Sequence, residues 1–371
     1  MVGKTTYNHP AQVVQKLLNG SRTMNSTLPE LTESRLEVQQ HEFFGVPVHS
    51  TCFLHPLDAR LHCVESTVRF TSGGCDEHTY FGHAARQDPD AAVFASCCEI
   101  LQKMLASLAL LSRKRYAGGL PGRYLFRAGH AGPYFPHQLL LREKEAGAAA
   151  VASSNGLGLQ RHIGQAIEQA SLELLEQHIL LSMWYSGRQL VLLDAAEQLQ
   201  NGYRIAYYTT DDAIPFVLAV LSSTQQDVFF CGSALKCKFS EAFEQARSEA
   251  LQLSAKFFVK GLFSPAQGNQ AFHGKVAQTM ARVAYLRGAS AVAMHAHLAS
   301  RLATASGEIR KADGFKEILG LAFRRLDDIH YVALGRWQDF VLVRVLIDEA
   351  LTPGQMRLAY RATGHIPDPF F

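Results

Sequence analysis

One pattern occurs three times in this chain and limits what it can fold into. A glycine is followed by an alanine, then by a small residue one helical turn on, then by glutamate, then by Glu or Gln three residues later. The first copy is Gly82, Ala92, Ser96, Glu99 and Gln102. The second is Gly156, Ala166, Ala170, Glu173 and Glu176. The third is Gly232, Ala242, Ala246, Glu249 and Gln252. From the alanine onward the members recur every three or four residues, which places them on one stripe of a helix. The acidic groups therefore share a face with the small residues that let another element approach closely. An ordinary surface helix keeps its carboxylates on the opposite, wet face. A carboxylate on a close-packed face needs a partner, because an unpaired buried charge is costly. A divalent cation is the simplest partner. The alternative is a set of helix-packing repeats whose glutamates bond backbone amides.

Strand-like runs at 61–70, 189–194, 203–210, 216–222, 228–231 and 340–347 alternate with helical patterns. Asp88-Pro89 suits the start of the first acidic helix, Ser240 suits a cap on the third, and the second, over 164–186, has no clear cap. Further helices fit 271–287 and 314–326. The polar turn at 223–227 predicts a hairpin. This order implies an α+β (α/β) fold, a single large domain with three internal pseudo-repeats of strand and acidic helix. Residues 1–64 read as a partly mobile N-terminal segment with one short amphipathic helix near Val13–Leu18, and residues 65–371 as the domain.

The length of 371 residues and a hydrophobic content of 47% allow a sizeable core. A formal net charge of +3 gives no argument for nucleic acid. The seven cysteines form no CxxC pair and no zinc-type cluster, so they read as reduced thiols. Without a signal-like N-terminus or an apolar run near the roughly 20 residues a membrane helix needs, the expectation is a cytoplasmic protein that engages no membrane. No phosphate-binding GxxxxGK[ST] loop, GxGxxG turn, kinase signature or GxSxG elbow is present. His295 and His297 point apart on a helix and do not form a joint metal site. Cys97 and Cys98 abut Glu99 without an identifiable base beside them.

Glu173 and Glu176 project to one side of a helix and repel unless a hard cation sits beside them. Magnesium uses one or two protein carboxylates together with waters and phosphate oxygens. Glu99, Glu173, Glu176 and Glu249 are thus the candidate metal ligands, and a nucleoside triphosphate suits the remaining coordination sites. Asn155 offers a carbonyl oxygen beside Gly156, which permits a left-handed turn. Lys103 and Lys256, at the ends of their stripes, are candidate phosphate contacts, with Gln252 assisting.

The ordered set of segments resembles the YcaO-domain family. The resemblance lies in Ser154-Asn155-Gly156-Leu157 leading to Glu173-Leu-Leu-Glu176, in Ser96 to Lys103, in Glu249 to Gln252, in the strand near 340–347, and in the proline-containing tail from His365 to Phe371. It covers about residue 65 to the end. The resemblance implies an ATP- and Mg²⁺-binding enzyme that activates a backbone amide of a ribosomally made precursor peptide. A Cys, Ser or Thr side chain then closes to an azoline, as in bacteriocin or peptide toxin maturation. Relatives form thioamides, and a non-catalytic scaffold is a further possibility. A separate leader-binding protein and a flavin-dependent oxidoreductase are the implied partners. The chain departs from the family pattern at His83 (lysine expected), Gln102 (glutamate), Lys103 and Gln177 (arginines), which predicts weaker or partner-dependent ATP binding.

Overall fold

The computed structural model describes residues 36–72, 76–111, 119–134, 155–193, 195–258, 285–303 and 311–350. Three sheets and five helices make up the described residues, an α+β architecture. The first sheet is antiparallel and contains β1 (Glu37–Phe43), β2 (Val46–His55), β3 (Asp58–Ser72) and β4 (Asp76–Arg86) in chain order. Helix α1 (Pro89–Leu111) follows. The second sheet has the order β6-β5-β13-β14-β7, from β5 (Leu120–Tyr124), β6 (His130–Tyr134), β7 (Leu157–Gln160), β13 (His330–Trp337) and β14 (Phe340–Leu346). Helix α2 (Ile163–Ser186) follows β7. The third sheet has the order β12-β11-β10-β8, from β8 (Leu190–Leu192), β10 (Tyr203–Thr210), β11 (Phe216–Ser223) and β12 (Phe230–Leu235), with β9 (Glu197–Gln198) pairing β10. Helices α3 (Phe239–Phe258), α4 (Gly288–Ser300) and α5 (Phe315–Ala322) complete the set.

Each acidic helix follows directly on a strand that ends its sheet: β4 leads to α1, β7 to α2 and β12 to α3. Each helix also packs beyond its own strand, α1 on β13 and β7, α2 on β12, α3 on β4. The three units therefore close a ring, each helix touching the edge strand of the next. The glycines explain how the first and third helices come so close. A Cβ on Gly82 would lie 1.9 Å from the Ser96 carbonyl oxygen, and one on Gly232 would lie 2.4 Å from the Ala246 oxygen and 2.3 Å from the Ala250 nitrogen. In the second unit that contact belongs to Gly158, whose Cβ would meet the Ala166 oxygen at 1.9 Å. Gly156, the glycine singled out in the sequence, instead makes the turn before β7 with φ +70°.

The hairpin at 223–227 is present as β11 and β12. Asp88 caps α1, its Oδ1 accepting from the Asp90 and Ala91 amides. Ser240 does not cap α3, because the helix already begins at Phe239 and Ser240 lies inside its first turn. Strand β3 runs through residue 64, so the described residues before 65 are strands of the first sheet rather than a separate segment. Their alternation was masked by a polar residue on the inward side: Ser50 is buried and bonds Ser66 at 2.7 Å. The expected helices near 13–18 and over most of 271–287, and the proline-containing tail, lie outside the described residues.

The stretch Pro89–Ala109 of α1 reaches a mean hydropathy of 1.4 over 21 residues, long and apolar enough to cross a membrane by composition, contrary to the expectation that no run comes near. Here it packs on β3, β4 and β13 and carries Glu99 and Lys103. The largest core cluster joins Phe53 and Leu61 of the first sheet with α2, α3, the third sheet and β14, whereas α1 packs into two smaller clusters, one through Leu101 and Leu105 and one through Ile100 and Met104.

Candidate functional site

Ser233 on β12 is where two of the acidic helices meet. Glu176 of α2 accepts the Ser233 hydroxyl at 2.6 Å and the Leu235 amide at 3.3 Å. Glu249 of α3 accepts from Gln245 Nε2 at 2.9 Å, and the nearby Ser233 backbone favours its charged form. Glu99 of α1 accepts the His83 amide at 2.7 Å and pairs with Lys103. Glu99 and Glu176 thus make the backbone bonds of the helix-packing alternative. Glu173 makes none among the described residues.

All four glutamates are partly buried. Burial pushes Glu173 up to about 8, opposed by Arg344 and reinforced by Glu249. Burial and then Glu249 drive Glu176 well above the usual carboxylate range. Burial also raises Glu249, against the pull of Gln245, Lys236 and Arg86. Glu99 goes the other way. Burial is again the largest single influence and would raise it, but Lys103, His83 and the two hydrogen bonds together hold it below the ordinary value.

The structure therefore brings Glu173, Glu176 and Glu249 into one electrostatic group, with Glu99 at its margin. Lys103 is engaged: its Nζ donates to the Phe81 carbonyl at 2.6 Å as well as to Glu99. Gln102 donates to the Leu157 carbonyl at 3.2 Å and so ties α1 to β7. Asn155 is partly buried in the turn before β7, and Gln252 is partly buried on α3. The side chain of Lys256 lies outside the described residues. His295 and His297 bond the separate carbonyls of Val228 and Trp184, in line with their pointing apart. His41 Nε2 sits 3.4 Å from Cys97 Sγ, but burial pushes that thiol up to about 11, which leaves it a poor nucleophile.

Three basic residues around the group escaped the sequence reading. Lys236 follows β12 and acts on Glu173, Glu176 and Glu249 together. Arg86 ends β4 and acts on Glu249. Arg344 on β14 lies opposite Leu157 of β7 and acts on Glu173. Burial pulls the Arg344 guanidinium down to about 10. Only Arg344 left a trace in the sequence, as a lone charge inside the apolar strand Val341-Leu-Val-Arg-Val-Leu346.

Among the described residues no three His, Cys, Asp or Glu side chains close into a metal-binding group. A ready-made all-protein cage is therefore not what these residues offer. Crowded carboxylates raised by burial and mutual repulsion, with cations on the rim, suit a hard ion that takes one or two of them and shares its remaining sites with phosphate oxygens.

A family model described as YcaO cyclodehydratase, ATP- and Mg²⁺-binding, matches residues 120–349. The match contains α2, α3 and their glutamates, while the first acidic unit, with Glu99, precedes it. Solved structures with a similar course include YcaO from Methanopyrus kandleri bound with AMPPCP and Mg²⁺, at 11% identity over 97% of this chain and 95% of that one, TM-score 0.48. They include the E. coli microcin synthetase McbBCD complex, at 11% identity over 87% of this chain and 89% of that one, TM-score 0.49. The heterocyclase TruD matches at 15% identity over 64% of this chain, TM-score 0.42. The chain spans 35% of the TruD chain and 56% of that of a heterocyclase in complex with substrate and cofactor. No curated protein sequence matches.

Proposed function

Because the chain belongs to the YcaO cyclodehydratase family, we propose that it uses ATP and Mg²⁺ in the glutamate cleft to activate a backbone amide of a ribosomally made precursor peptide, leading to azoline closure. The observation that carries this reading is Glu173, a carboxylate pushed up to about 8 by burial, without a hydrogen bond among the described residues, where acidic helices converge. Glu173, with Glu176 and Glu249, would hold Mg²⁺, and Glu99 would support them from α1. Asn155 and Gln252 are the polar groups for the ion or nucleotide. Lys103 and Lys256 stand as expected phosphate contacts, Lys103 after giving up its bond to Glu99. When bound, ATP supplies the phosphoryl group that makes the amide oxygen a leaving group. The chain's own part is to orient the peptide and nucleotide and to hold the developing charge in a poorly solvated cleft.

The reading places the protein in the cytoplasm, in bacteriocin or peptide toxin maturation, with a leader-binding protein and a flavin-dependent oxidoreductase as partners. Incubation with the precursor peptide, ATP, Mg²⁺ and the neighbouring gene products should remove one water mass per ring, read by mass spectrometry. An unmodified peptide under all these conditions would rule the activity out. A gain of sulfur mass would mark thioamide formation instead.

A second reading, a scaffold that binds peptide without catalysis, is favoured by the engagement of Lys103 and Gln102 in bonds within the protein. The two part on nucleotide binding. Mg·ATP at 100 times its Kd should stabilise the enzyme by about 2.7 kcal/mol, and Glu173→Gln should abolish that gain, whereas the scaffold shows no gain to abolish.

A further inference from the structure

Of the lysines near the site and its turn whose side chains the structure describes, Lys103 and Lys238 are already committed. Lys103 is shared between Glu99 and the Phe81 carbonyl. Lys238 pairs with Glu241 on the exposed start of α3. Lys236 differs from both. It directly follows Leu235, whose amide holds Glu176, and it occupies the short turn from β12 into α3. Three carboxylates from two helices lie near enough for its charge to act on them. Yet among the described residues no carboxylate lies within ion-pair distance of its Nζ and no hydrogen bond holds it. A cation beside three acids that closes on none of them remains able to reach an anion entering the cleft. A lysine bound to a phosphate retains its charge and needs no fixed planar geometry, so a flexible stem at a strand end suits that task.

Resting on the reading that the site binds Mg·ATP, we propose that Lys236 is a polyphosphate-contacting cation there, in addition to the Lys103 and Lys256 expected from the sequence. The opposing view is that Lys236 merely neutralises the glutamates. The two views differ in sign. A lysine that only screens the carboxylates competes with the metal, so its removal leaves Mg²⁺ and Mg·ATP bound as tightly or more tightly. A lysine that contacts phosphate is missed by ATP and not by Mg²⁺ alone.

The test is calorimetry on the full chain with Mg²⁺ alone, and then with adenosine, AMP, ADP and ATP in the presence of Mg²⁺. Lys236→Met should weaken ATP and ADP by about 10- to 100-fold, the worth of one charged hydrogen bond. Adenosine should be unchanged, and Mg²⁺ alone unchanged or tighter. Lys236→Arg should retain most of the ATP affinity, and Lys236→Gln repeats the test if the methionine variant does not fold. ATP affinity equal to that of the wild type in the neutral variants would overturn the assignment while leaving the function reading standing. Equal losses for Mg²⁺ and ATP would also overturn it, since they signal collapse of the cleft. Failure of the wild-type protein to bind Mg·ATP would remove both.

Discussion

The first and second acidic helices use the same stripe and reach opposite charge states. On α1, Glu99 meets Lys103 one turn away and His83 across the strand, and these hold its carboxylate below the ordinary range. On α2, Glu173 and Glu176 meet each other and Glu249 of α3, and burial lifts them well above it. The stripe decides where a carboxylate stands. The residues around it, on its own helix and on other elements, decide whether its charged form is favoured or opposed. By that measure the first unit is braced within the protein, and the carboxylates of the second and third units raise one another. The family match covers the latter and begins after the former.

The largest way to break this contrast is to release α3. Arg247, two residues before Glu249 and on the opposite side of the helix, is buried in a network with Glu197 at 2.6 Å and Asp58 at 2.6 Å. Burial resists that charge, but its two carboxylates hold it as a cation. Replacing Asp58 and Glu197 together by alanine should cost about 3–5 kcal/mol by leaving a buried charge without a carboxylate partner, measured by urea unfolding. A loss no greater than that of an exposed pair would show α3 to be anchored elsewhere.

Next is the close approach of strand and helix. Gly232→Ala and Gly82→Ala should each cost about 3 kcal/mol, the upper range for overpacking, because the added methyl meets backbone that cannot give way. Equal effects would show the first and third units to be packed alike despite their different charges.

The charge contrast itself gives effects of opposite sign. Glu173 has a folded value raised to about 8, so its contribution to stability is full below the usual carboxylate range and is lost as pH rises through 8. Without ligand, Glu173→Gln should raise stability at pH 8 by on the order of 2 kcal/mol and flatten the slope between pH 5 and 8. Glu99 is depressed, so its contribution is present above the usual range and lost as pH falls through the folded value. Glu99→Gln should lower the melting temperature at neutral pH. Melting curves in which both variants shift the same way would erase the distinction between the units. The smallest effect is Gly164→Ala in the first turn of α2, where nothing lies within 4 Å of the added methyl and up to about 1 kcal/mol should be gained.

Much of the site could be read from spacing. Alanine, serine and glutamate at helical intervals carry their face with them, because a helix is a local structure and its periodicity is set residue by residue. The glycine of the second unit shows the limit. Both Gly156 and Gly158 precede α2, and only the packed strand distinguishes the one that turns the chain from the one that meets the helix. Lys236 shows it again. In the sequence it is one of two lysines flanking Cys237, and nothing local separates the one facing three glutamates from the one paired on the surface with Glu241.

The amino-acid order alone determined that three helices would each bury a glutamate beside small residues, since that follows from helical pitch and from side-chain size. Which glutamates lie together and which cations from other elements stand beside them were decided only when three separate sheets closed on one another. Electrostatic energy depends on distance through space and on the loss of water, and neither quantity is written in the interval between two positions along a chain.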